Sequence, residues 1–255
     1  MTHPFFAGAR HPRVLAHRGW LPATEEDSVW ENTAAAFAAA HAAGAEYIET
    51  DCRLTADGEV VLFHDETMQR LTGDPRPISA VRHRELERIF ADHGGLLTVA
   101  AALDAFPETR FNIDVKTAAA AAPLGALVAA HAERVLVTSF SDRDRRAALQ
   151  ATAAAGATIA PASSGGRSVI ARLRATTAVG LSPARALRDV DAVQIPVSHR
   201  GIRLFTPALV RAAHRLDVEV HVWTVNDPAE MRRLVEAGAD GIVTDRTELA
   251  LDALS

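Results

Sequence analysis

A chain of 255 residues can bury one large core, and a single barrel-sized domain spanning 1–255 is the default reading at this length. With 48% apolar residues, 23% charged residues and a net charge of −5, the composition is that of a globular protein, and its acidic balance argues against a nucleic-acid partner. No run approaches the roughly eighteen apolar residues of a membrane-spanning helix. The opening MTHPFFAGARHPR lacks the apolar stretch of a signal peptide, and Cys52 is the single cysteine, so no disulfide framework exists. A cytoplasmic location is the expectation.

In chain order, Arg13–Ala16 predicts a first strand, ending in His17-Arg18-Gly19. Glu31-Asn32-Thr33 opens an alanine-rich helix that Gly44 stops. Glu46 onward predicts a second strand, and Asp57-Gly58 then signals a hairpin. The stretch 66–98 is irregular, polar and arginine-rich, with one helical pattern near Arg84–Phe90. A helix over Val99–Phe106 and a strand over Arg110–Val115 follow. Further strands are predicted over 134–140, 158–161, 192–197, 219–225 and 241–244. Helices lie between them, capped by Ser141, by Thr206-Pro207, by Asp227-Pro228 and, before the last, by an Asp245/Glu248 pair. Strand then helix, repeated about eight times, implies a parallel sheet with helical crossovers: a (β/α)8 TIM barrel in the α/β class, with a small hairpin extension after strand two.

Chemistry in such a barrel sits at the carboxyl ends of the strands. Along strand two, Glu49 and Asp51 are two apart and so share a face. Two adjacent carboxylates repel unless a hard cation or a shared proton sits between them. If Asp57-Gly58 forms a two-residue turn, Asp51 lies opposite His64 on the returning strand. Strand three ends in Asp114 and Lys116. Lys116 is the only lysine in a chain that otherwise uses arginine, which points to a local need for a compact ammonium.

Glu49, Asp51 and Asp114 make an oxygen-only ligand set, suited to one Mg²⁺ or Ca²⁺. Cys52 faces the other side of the strand. Arg18 and Lys116 turn the site positive, toward an anion such as phosphate. His17 and His64 titrate near neutral pH and can divide acid and base duties across a phosphorus. His221 is read as a satisfied core histidine. His199, Arg200 and Arg203 are read as solvated charge after a strand.

Six segments occur in order: HRG at 17–19, ENT at 31–33, IETDCRLTADGEVVLFHD at 48–65, DVK at 114–116, VWTVN at 222–226 and GADGIVTD at 238–245. Together they resemble the glycerophosphodiester phosphodiesterase family over about Val14–Asp245. The resemblance implies a metal-dependent barrel hydrolase that converts glycerophosphodiesters to glycerol 3-phosphate and an alcohol. It makes His17 and His64 the acid–base pair, Glu49 and Asp51 metal ligands, Arg18 and Lys116 phosphate contacts, and Trp223 a wall of the substrate pocket. Asp114 stands where the family usually has Glu, one methylene longer. Attack by the substrate's own hydroxyl, through a cyclic phosphate, and attack by water are both compatible with these residues. The polar stretch 66–98, where an insertion over the site would lie, implies an open pocket for small soluble diesters. Two other readings compete: a Schiff-base aldolase using Lys116, and a catalytically silent barrel that binds a phosphorylated ligand.

Overall fold

Short runs rich in β-branched residues become strands, and the alanine- and leucine-rich runs between them become helices. In the computed structural model, which describes residues 2–21 and 29–255, eight parallel strands form a ring. They are β1 Arg13–His17, β2 Tyr47–Leu54, β3 Arg110–Val115, β4 Val135–Thr138, β5 Ala162–Gly165, β6 Ala192–Ile195, β7 Glu219–Val222 and β8 Gly241–Thr244. Strand β1 pairs with both β2 and β8, which closes the barrel and leaves no open edge. Side chains of Thr33, Thr98, Ser141, Thr206 and Asp227 accept backbone N–H groups at helix starts, as capping chemistry requires.

Outward-facing strand residues such as Ile48, Cys52, Phe111, Ile113 and Val115 pack against helix residues Phe37, Ala120 and Leu124. Inside the ring, Leu15, Tyr47, Leu136, Ala162, Ala192 and Val243 form a separate cluster with Phe5 and Phe6. The segment before β1 therefore plugs the amino ends of the strands, and the Tyr47 hydroxyl donates to the Phe5 carbonyl at 3.0 Å.

Four expectations are corrected. The hairpin strand Val60–Leu62 pairs antiparallel with β2, but Cys52 faces Leu62. Asp51 therefore lies across from Phe63, whose N–H donates to the Asp51 carbonyl. The turn holds three residues, Ala56–Gly58, with Gly58 at φ 90°, which shifts the register by one and leaves His64 beyond the strand. Strand β5 begins at Ala162 rather than Thr158. Its residues, Ala-Ser-Ser-Gly, carry no β-branched signal, so the nearby Thr158-Ile159 drew the reading; Ile159 is in fact exposed. The last helix has Arg246 at its cap with no side-chain bond, because Asp245 is engaged elsewhere. Finally, no described residue of 66–98 lines the main cavity. Met68, Ile78, Val81, Leu86 and Phe90 instead bury against Val61 and Phe63 as a satellite core.

Candidate active site

Strand register assembles the site. His17 pairs with Glu49 across β1 and β2, and Asp51 pairs with Asp114 across β2 and β3. Adjacent parallel strands lie about 4.8 Å apart, so these partners are side by side. The cavity at the carboxyl ends of the strands has a volume of about 510 Å³ and is lined by all eight residues singled out in the sequence: His17, Arg18, Glu49, Asp51, His64, Asp114, Lys116 and Trp223.

The loop after β1 is shaped for this. Arg18 takes a left-handed conformation, with φ 60°, and its N–H donates to the Glu49 carbonyl at 2.7 Å. Gly19 follows at φ 88°, and a Cβ there would meet the Ala36 backbone at 2.8 Å. Only glycine permits both that conformation and that approach. The chain is thus turned so that the Arg18 guanidinium reaches Asp51 at 3.3 Å and Glu31 at 2.9 Å.

Lys116 lies between the two middle carboxylates, with its Nζ 2.6 Å from Asp51 and 2.6 Å from Asp114. Burial favours its neutral form, but these two carboxylates outweigh that and hold the ammonium protonated. Asp51 is fully buried, yet Lys116, Arg18 and His64 lower its pKa. Burial raises Asp114. Burial and the neighbouring Asp51 push Glu49 up to about 8. Glu49 Oε2 and Asp114 Oδ1 are buried and have no hydrogen-bond partner. Among the described residues no group of three or more His, Cys, Asp or Glu forms a ready-made metal cage, and Lys116 lies between Asp51 and Asp114.

Both histidines are oriented the same way. His17 donates from Nδ1 to Asp245 at 2.5 Å, and His64 donates from Nδ1 to Asp65 at 2.6 Å. Each carboxylate fixes its imidazole's tautomer and leaves Nε2 to the cavity. Burial lowers the His17 pKa, but Asp245 and Glu49 bring it above its ordinary value. The carboxylates are held in turn: Asn226 donates to Asp245 at 2.8 Å, and Arg70 donates to Asp65 at 2.6 Å. Arg70 also bonds Glu31, the partner of Arg18, so one guanidinium ties the two loops together.

Sequence reasoning missed several of these residues. Asp245 is legible as a strand-end residue and as a helix cap, but not as the partner of His17. Asp65 was visible in the His-Asp dipeptide but given no role. Glu31 and Arg70 carried no signal, because their partners lie far off in sequence. The aromatic wall was also incomplete: Phe140 is 46% exposed and meets Trp223 edge-on, with ring centroids 6.0 Å apart. Cys52 is fully buried on the outer side of β2, where burial raises its pKa, so it is no nucleophile. His221 is buried inside the barrel and hydrogen-bonded to Glu219 and Gln194, as a core histidine should be.

A closed (β/α)8 barrel with titratable and charged side chains gathered at the carboxyl ends of its strands has the layout of a barrel enzyme. Residues 8–249 match the Glycerophosphoryl diester phosphodiesterase family, and the chain belongs to that family. It is 36% identical to the probable glycerophosphodiester phosphodiesterase 2 of Mycobacterium tuberculosis, over 94% of this chain and 90% of the relative. It is 27% identical to a glycerophosphodiester phosphodiesterase of Caldanaerobacter subterraneus subsp. tengcongensis, over 94% of this chain and 96% of that one. The solved glycerophosphodiester phosphodiesterase of Thermotoga maritima superimposes with a TM-score of 0.71 at 24% identity, covering 96% of this chain and 99% of the other. The protein is accordingly an enzyme, a phosphoric diester hydrolase acting on glycerophosphodiesters. No helix among the described residues is long and apolar enough to cross a membrane.

Proposed function

We propose that the enzyme hydrolyses glycerophosphodiesters to glycerol 3-phosphate and an alcohol, with His17 and His64 as the general acid–base pair and a divalent cation as cofactor. The observation that carries this reading is the matched pair of imidazoles, each anchored through Nδ1 to an aspartate and lining one cavity with Lys116 and Arg18. A solved phosphodiesterase of Oleispira antarctica, 21% identical with a TM-score of 0.69, holds its product sn-glycerol-3-phosphate, which supports the same product class here.

Arg18 and Lys116 supply positive charge for the bound phosphate. One imidazole Nε2 takes the proton of the attacking hydroxyl, and the other gives a proton to the departing alkoxide. Asp245 and Asp65 hold the rings in register and stabilise whichever imidazole is charged.

Glu49, Asp51 and Asp114 fit a hard cation by donor chemistry. All three are buried oxygen donors, and two of their oxygens, Glu49 Oε2 and Asp114 Oδ1, have no hydrogen-bond partner among the described residues. A Mg²⁺ or Ca²⁺ held there would supply charge against the phosphoryl oxygens and would offset the burial and the neighbouring Asp51 that raise the Glu49 pKa.

The test is release of glycerol 3-phosphate from a panel of glycerophosphodiesters, with and without a chelator. Turnover lost with chelator and restored by Mg²⁺ or Ca²⁺ supports the reading. Turnover indifferent to chelator removes the cation from it. The Schiff-base alternative needs a neutral amine, and the two carboxylates around Lys116 oppose that. Borohydride trapping of a carbonyl substrate on Lys116 would revive it.

A further inference from the structure

The outer half of the cavity has a chemistry of its own. Helix Arg167–Ala178 presents Arg167, Ile170, Ala171 and Arg174 to the cavity, a spacing of three, four and seven that puts all four on one face. The stripe is apolar in the middle and basic at both ends, and its two arginines are about 10 Å apart along the axis at 1.5 Å per residue. Both arginines are exposed, and neither makes an ion pair with a described residue. Among the described residues, the carboxylates lining the cavity are Glu49, Asp51 and Asp114 at its floor. Among the described residues, then, the charges of Arg167 and Arg174 are left for a ligand to pair with.

Phe140 lies between floor and mouth. The Arg167 guanidinium stands over its ring at 4.8 Å from the centroid, and Lys116 Nζ stands at 5.6 Å. An exposed aromatic ring beside a phosphate site would ordinarily suit a quaternary ammonium. Here the protein's own cations already occupy that role, and a third cation would meet repulsion from Arg167 and Arg174.

We propose that this outer cavity is the subsite for the departing alcohol and selects diesters whose alcohol carries a negative charge of its own, against those carrying a quaternary ammonium, with Arg167 and Arg174 as the specificity-determining residues. The proposal rests on the diesterase reading above. The alcohol's body lies against Ile170 and Ala171, and its acidic group meets the guanidinium forks, which match phosphate and carboxylate geometry.

The experiment measures initial-rate kcat/KM at low ionic strength for three diesters: glycerophosphoinositol 4-phosphate, glycerophosphoinositol and glycerophosphocholine. The first two differ only in the added phosphate. The wild-type enzyme is expected to favour the phosphorylated inositol over the plain one by roughly tenfold, and to favour choline least, with the gap closing in high salt. In the R167Q/R174Q double variant the ratio between the two inositol substrates is expected to fall to near one, and in R167K/R174K to recover in part. Both positions are exposed on a helix surface, and circular dichroism checks that the variants fold. A wild-type ratio near one, choline favoured over both inositols, or a ratio unchanged in the double glutamine variant overturns the subsite and leaves the diesterase standing. No release from any of the three overturns both.

Discussion

The two ends of the barrel hold similar side chains in opposite states. At the amino end, Arg13 donates to Glu219 at 2.9 Å and to the carbonyls of Ala9 and Arg10. His221 donates to the same Glu219 at 3.0 Å. Phe5 and Phe6 close over this network. At the carboxyl end, Glu49, Asp51 and Asp114 are buried and Lys116 and Arg18 half-buried, yet among the described residues two carboxylate oxygens have no hydrogen-bond partner, and both histidines line a cavity. A buried charge is tolerated when the chain itself completes its bonds. Where the chain leaves bonds unmade around a cavity, a ligand is expected to make them. Burial and charge together do not separate a structural network from a catalytic one; unfilled valences gathered around a cavity do.

This contrast can be tested at both ends. The largest effect is expected at the carboxyl end. His17→Ala and His64→Ala should each lower kcat by about 10²- to 10⁴-fold, the usual range for losing an acid–base group, with little change in melting temperature. A variant retaining full turnover would remove that histidine from the chemistry.

The next effect belongs to the amino end and concerns stability. Burial raises the Glu219 pKa, but hydrogen bonds from His221 and Arg13 outweigh it and bring it down to about 2. A depressed carboxylate stabilises the fold above its unfolded pKa of about 4.3 and loses that stabilisation as pH falls toward the folded value. Acid titration of the wild type should therefore lose up to about 3 kcal/mol from this group between about pH 4.5 and 2. Glu219→Gln should lack that dependence and be less stable at pH 7, with catalysis in the surviving folded fraction intact. Chemical denaturation at several pH values reads it out; parallel wild-type and variant pH profiles would contradict it.

Smaller again is the effect of Asp245→Asn. The carboxamide no longer fixes the His17 tautomer as a carboxylate does, and kcat should fall by roughly 10- to 100-fold. A change confined to KM would mean that Asp245 acts on binding instead. The smallest effect is expected for Arg70→Ala, which cuts the tie between Asp65 and Glu31 without touching the cavity lining. A severalfold loss in kcat, recovered in part by Arg70→Lys, marks a positioning role.

Much of the site was legible because it is written in strand ends. Glu49 and Asp51 two apart, Asp114 and Lys116 two apart, and His17 after a short apolar run are local patterns, and a parallel barrel brings all strand ends to one rim. The hairpin turn was legible as a turn but not in its length, since Asp-Gly serves two- and three-residue loops alike. The partners of the histidines were harder. Asp245 lies 228 residues from His17, and its capping-like context offered a local explanation that the fold does not use. The polar look of 66–98 concealed enough buried residues for a small core of its own.

Composition and period, then, determined by themselves that this chain alternates strand and helix and carries acids, imidazoles and one lysine at strand ends. Those properties depend on neighbours in sequence. Tertiary structure alone decided which carboxylate backs which imidazole, that Lys116 sits between Asp51 and Asp114, and that the arginines of helix 167–178 face the cavity mouth. These depend on barrel closure and strand register, where a shift of one residue turns every side chain to the other face.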